Sequence, residues 1–259
     1  MIDLFVKAVE RPPFIVVCLQ ECERMNVLLK EIKDSLTDLD AGLKGTLNIT
    51  EAMENLALSL NLNKVDDSWS KVAYLSKKTL LVWLDDIQIR CAQLAAWSEE
   101  FVTPTVLWLS GLFNPMSFLT AIMQITARAT GLPLDDMRLK SSVRNEIDPE
   151  ELTELPETGA YCNGFSLEGA GWELGRNGEQ GYLTEMVLKE LSPVLPVVHV
   201  TSIRKHERVL VGMYECPVYF TTNRGGANHV TMFDIAMESE DSDDKYWILS
   251  GVALFLAPE

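Results

Sequence analysis

The sequence is short of the residues that carry most catalytic and metal chemistry. Its three histidines are His199, His206 and His229, and none stands at HxxxH or HExxH spacing from another, so a helical zinc site of that kind is excluded. The five cysteines, Cys18, Cys22, Cys91, Cys162 and Cys216, form no CxxC pair and no even framework, so they read as reduced thiols rather than a disulfide scaffold or zinc ribbon. Basic residues are scarce too: 22 Lys and Arg stand against 38 Asp and Glu in 259 residues, a formal net charge of −16. Such a surface repels phosphate backbones and anionic lipid heads, which argues against a nucleic-acid or membrane partner. No Gly-Lys-Ser/Thr occurs, so the loop and lysine that cradle a nucleotide's phosphates are missing. The Gly-x-Ser-x-Gly elbow of hydrolases is missing as well.

Several weaker features have plain explanations. Asp3 precedes any basic residue and no small-residue cleavage site follows, unlike a signal peptide. Phe101–Ala127 carries no charge, yet Pro104, Asn114, Pro115 and Gln124 interrupt it, so it reads as a buried loop running into a helix rather than a membrane span. Gly169, Gly171 and Gly175 miss the GxGxxG spacing and read as turn glycines around Trp172. The acidic group Glu238, Glu240, Asp241, Asp243 and Asp244 lacks the glycine and distal glutamate of a calcium loop and reads as a solvated hairpin tip. Cys216, between Glu215 and Pro217, stays open as a nucleophile paired with a distant histidine, although the adjacent carboxylate raises its pKa.

What the polypeptide does have is a change of period. Cys18, Cys22, Met25, Leu29, Ile32, Leu36, Leu39 and Leu43 alternate steps of four and three, the stripe of one long helix bounded by Pro12-Pro13 and by Gly42 and Gly45. Asn48 and Glu51 suggest a capping box for a short helix over 50–60. Leu80, Leu84, Ile87, Cys91 and Leu94, flanked by Trp83 and Trp97, mark another long helix. A further one opens at Asn114-Pro115 and stops at Gly131 before Pro133. Later runs are rich in Val, Ile, Tyr and Phe: 160–167, 197–203, 213–221, 229–237 and 246–256, with a weaker one at 137–143. They argue a sheet curled toward a barrel, with one helical insertion over 181–191 and hairpin connections at Gly225-Gly226 and at 238–244. The expectation is an α+β protein: a helical bundle over 1–148, then a mostly antiparallel, barrel-like part over 149–259.

Whole segments then carry a family resemblance. QECERMN at 20–26, TEAMENL at 50–56, LWLSGLFNPMSFLTAIMQITA at 107–127, GAYCNGFSLEGAGW at 159–172, MYECPVY at 213–219 and WILSGVALFL at 247–256 stand in order along nearly the whole sequence. Together they resemble the C-terminal region of dynein heavy chains, axonemal more than cytoplasmic. The resemblance implies a piece of a much longer polypeptide, with a helical part lying across one face of an AAA+ motor ring and a β-barrel-like part after it. It implies a non-catalytic regulator of ATP-driven microtubule motility in the cytoskeleton of a cilium or flagellum. The implied partners are the AAA+ ring of the same polypeptide and, through the whole motor, the microtubule and other dynein subunits. The family's nucleotide motifs match nothing here, so no cofactor, metal or catalytic residue is implied for this segment. The expected docking residues lie in one turn: Trp108 and Phe113 as large apolar faces, Asn114 as a side-chain cap accepting a backbone N–H, and Pro115 fixing the helix direction. The alternative is that both aromatics are core. Two other functions stay open: a free-standing module binding a ligand or peptide at the barrel mouth, and a cysteine-dependent enzyme.

Overall fold

The computed structural model describes residues 12–175, 179–185, 195–207, 213–221, 231–239 and 244–257. The helix α1 spans Pro13–Leu43, with proline at its first position, where a missing N–H costs nothing. It ends where Gly45 adopts φ +75° and the Thr46 N–H donates back to the Ala41 carbonyl. Its buried residues include Val17, Cys18, Leu19, Glu21, Met25, Leu28, Leu39 and Gly42. The expected stripe is therefore half right, because Leu29, Leu36 and Leu43 lie exposed. The seam that packs runs through 18, 21, 25 and 28, and one of its positions is a glutamate.

Three helices follow: α2 over Glu51–Asn61, α3 over Asp67–Val72 and α4 over Leu80–Glu100. The cap of α2 is Thr50, whose extended backbone lets its Oγ1 accept the Met53 N–H at 3.4 Å. Asn48 lies outside it and does not cap. After strand β1 (Val106–Trp108) and a single 3-10 turn (Leu109–Gly111), α5 runs Pro115–Thr130 and stops at Gly131, φ +69°. The helix α1 packs on α2, α3, α4 and α5. Phe14 stacks on Phe118 at 4.9 Å, and Trp97 meets Phe118 edge-on at 5.9 Å, joining three helices at one point.

The strands are β2 (Met137–Val143), β3 (Ala160–Asn163), β4 (Ser166–Glu168), β5 (Gly171–Glu173), β6 (Tyr182–Thr184), β7 (Val198–Arg204), β8 (Tyr214–Thr221), β9 (Phe233–Ser239) and β10 (Ala253–Ala257). They form a four-stranded sheet, β1-β3-β7-β2, and a six-stranded one, β4-β10-β8-β9-β6-β5, that curls into a nearly closed barrel. Most pairings are antiparallel, but β1–β3, β8–β10 and β6–β9 are parallel. The four-stranded sheet takes β1 and β2 from before residue 148 and β3 and β7 from after it. Ser141 stitches the sheets together: its hydroxyl donates to the Asp234 carbonyl at 3.1 Å and accepts the Ala236 N–H at 3.3 Å.

Three expectations are corrected here. The run over 160–167 is two strands, because Gly164 turns the backbone at φ +90°. The run over 246–256 is a helix, α6 (Asp244–Ser250), then β10, with Gly251 at φ +71° between them. At the place of the helical insertion, Tyr182–Thr184 is a strand, and residues 186–194 lie outside the described residues. Glu238 ends inside β9, while Glu240, Asp241 and Asp243 of the acidic group, and Gly225-Gly226, lie outside the described residues. One hydrophobic core runs from Cys18, Trp69 and Trp97 through Leu107 and Phe118 into Leu167, Cys216 and Leu254. Among the described residues no helix is long and apolar enough to cross a membrane.

Candidate functional site

The turn from β1 into α5 sits where the helices meet the sheets, and it is built from three directions. From below, Glu21 on α1 sends its carboxylate to two backbone donors: the Phe113 N–H reaches Oε2, and the Asn114 N–H reaches Oε1 at 2.9 Å. They are the N–H groups of the two residues before Pro115, so Glu21 fixes the backbone as it enters α5, whereas the Asn114 side chain was expected to accept an N–H from the helix's first turn. Asn114 makes no side-chain cap bond. Burial raises the Glu21 carboxyl above its ordinary value, while the two N–H groups, Arg24 and Arg90 oppose that rise.

From the side, Gln93 on α4 clamps β1. The Trp108 N–H donates to Oε1 at 2.8 Å, and Nε2 donates to the Trp108 carbonyl at 3.2 Å. The other edge of β1 pairs with β3, so the amide of Gln93 acts as a one-residue strand on the free edge. From above, two glycines make room for the Trp108 indole. A Cβ on Gly111 would come within 2.3 Å of the Trp108 ring, and one on Gly164 within 2.4 Å of Ser110 Oγ. Gly111 belongs to the LSGLFNP segment and Gly164 to the YCNGF segment, so two stretches far apart in sequence close on one aromatic ring.

The four expected docking residues are thus brought together, but they face different ways. Pro115 is buried. Phe113 is half-buried and meets Tyr74 edge-on at 5.6 Å. With Asn114 it lines a groove beside Gln20, Arg24, Val27 and Val72. Trp108 lines a separate cavity with Tyr74, Asp86 and Arg90.

Asp86 and Arg90 form a buried ion pair one helical turn apart on α4, with Arg90 Nε donating to Oδ2 at 2.8 Å. Lys78 Nζ donates to Oδ1 at 2.8 Å. Burial would raise the Asp86 carboxyl, but Arg90, Lys78 and Tyr74 outweigh it and hold the carboxyl below its usual value. The Arg90 guanidinium lies 3.6 Å over the Tyr74 ring and 5.1 Å from the Trp108 ring. Neither this triad nor Glu21 was singled out from sequence. Their signal was a charged residue recurring at core spacing: Glu21 between Cys18 and Met25, Asp86 and Arg90 beside Trp83 and Ile87.

Elsewhere, Cys216 is fully buried in β8. His199, on β7, hydrogen-bonds through Nε2 with the Thr158 carbonyl at 2.8 Å. Among the described residues no group of three or more His, Cys, Asp or Glu is placed to hold a metal ion.

Residues 4–256 match the family model for the C-terminal domain of the dynein heavy chain. The protein belongs to this family. It is 42% identical over 254 residues to dynein axonemal heavy chain 9 of Homo sapiens, and 42% identical over 256 residues to the ciliary dynein beta chain of Heliocidaris crassispina. It is 39% identical over 260 residues to the dynein alpha chain of the flagellar outer arm of Chlamydomonas reinhardtii. These matches cover 98–99% of the 259 residues but only 6% of each relative, so the dynein C-terminal domain is a small part of a long polypeptide there. The segments around Glu21, Trp108 and Gly164 are thereby placed in a dynein heavy-chain domain, with the geometry above as their local role.

Proposed function

We propose that this domain is a non-catalytic regulator within an axonemal dynein heavy chain, packing on the AAA+ ring and modulating ATP-driven microtubule motility in a cilium or flagellum. The observation that carries the reading is the family match along residues 4–256, joined to relatives that are axonemal, ciliary and flagellar heavy chains. Two features support it. The helical part leaves large aliphatic residues exposed around the junction where Asn63 receives the Leu80 and Leu81 N–H groups: Leu62, Leu81 and Val82. The Glu21 carboxylate holds the Phe113 and Asn114 N–H groups, which suits a residue pair that must present one shape to a neighbour. Regulation then consists of contacts that differ between ring conformations, since only differential contacts shift such an equilibrium.

The test uses a complete axonemal heavy chain that includes this domain. Removing the domain changes microtubule gliding velocity or ATP turnover, and unchanged values for both overturn the proposal. Phe113→Ala distinguishes the roles of the turn: altered gliding with near-native unfolding of the 259-residue protein marks docking, whereas a large loss of stability with unaltered gliding marks core. Titrating the isolated protein with magnesium and labelled ATP should give no saturable binding.

A further inference from the structure

The cavity beneath Trp108 is unlike the rest of this acidic molecule. It encloses about 300 Å³ between the helices and the barrel-like sheet. Its charged lining is basic on balance: Arg90 and Lys78 share a single carboxylate, Asp86, while Lys77 at the rim has an interaction of its own. Arg90 is buried, 5% exposed, and its Nη1 has no hydrogen-bond partner, although a buried guanidinium N–H normally finds one. Its plane is fixed by Tyr74 and Trp108, so the unpaired N–H cannot rotate away to find an acceptor. Ser110 and Ser166 line the same space, and Leu75 and Leu256 add apolar surface to it.

We propose that this cavity is a binding site for a small organic carboxylate with a flat apolar body. The carboxylate sits against Arg90 and Lys78, with Ser110 and Ser166 donating from the facing wall, and the body lies on the Trp108 indole. A singly charged head is the matching choice, because Arg90 and Lys78 against Asp86 leave one net positive charge. A phosphate near pH 7 brings close to two negative charges and leaves one unpaired in a half-closed space. The site is independent of whether the domain meets a motor ring.

Benzoate is the probe, and neutral benzyl alcohol its control, each titrated into the 259-residue protein with binding followed by indole N–H resonances. The expected result is saturable benzoate binding that shifts the Trp108 indole signal, with benzyl alcohol weaker by about tenfold or more, as befits a charge-assisted hydrogen bond. Lys78 is half-exposed, so Lys78→Gln keeps the fold and should weaken benzoate by about tenfold while leaving benzyl alcohol unchanged. Absence of saturable benzoate binding overturns the proposal, as does equal affinity for the two probes or benzoate binding indifferent to Lys78→Gln.

Discussion

At the scale of single residues, the entry to α5 is held by a carboxylate from another helix. Because the Asn114 side chain makes no cap bond, Asn114→Ala should cost about 0.5 kcal/mol or less in denaturant unfolding. Glu21→Ala leaves two half-buried backbone donors unpaired and should cost about 1–3 kcal/mol. The pH dependence has a definite sign. The folded carboxyl titrates above its unfolded value of about 4.3, so the native state holds the proton more tightly across the window between the two. Stability from this group therefore falls as pH rises through that window. Glu21→Gln removes the effect, and the wild-type profile measured against the variant should slope downward there. None of this was legible from periodicity, because a stripe of apolar residues assigns every glutamate to the solvent face. Asp86 and Arg90 were missed for the same reason.

At the scale of elements, the ends of helices and the positions of sharp turns were the readable part. Pro12-Pro13, Asn114-Pro115 and Gly131 delimit α1 and α5 because proline and glycine act on the backbone locally, whatever the tertiary surroundings. The weak run at 137–143 is β2, residue for residue. The stretch 246–256 misled because Tyr246, Trp247 and Ile248 are strand-favouring residues held in a helix, and Gly251 marks where that helix gives way to β10. Of the glycines near the turn, Gly164 makes the strongest demand, for both its conformation and its space. Gly164→Ala puts a methyl group at φ +90° and against Trp108 and Ser110 and should cost about 2–4 kcal/mol, with a loss of near-ultraviolet signal from the displaced indole.

At the scale of the molecule, α5 ends at Thr130 and β2 follows at Met137–Val143, ahead of the expected switch of period near residue 149, and the four-stranded sheet is woven from both sides of that residue. A molecule cleaved between Pro149 and Pro156 should stay associated, because β1 pairs with β3 and β2 with β7 across the cut. Produced separately, 1–148 should be helical and 149–259 strand-rich but loosely packed by circular dichroism. Mixing them should restore one cooperative unfolding transition, whereas two independent transitions would show that the sheet does not bind the halves together. The position of β10 carries a different consequence, one of timing. It lies between β4 and β8, in register with residues made some ninety and forty positions earlier. A ribosome therefore exposes β4 and β8 long before the strand that joins them. Until residues 253–257 emerge, both carry an unpaired edge, and this stretch of synthesis is when a chaperone, or a neighbouring nascent polypeptide, has access to them.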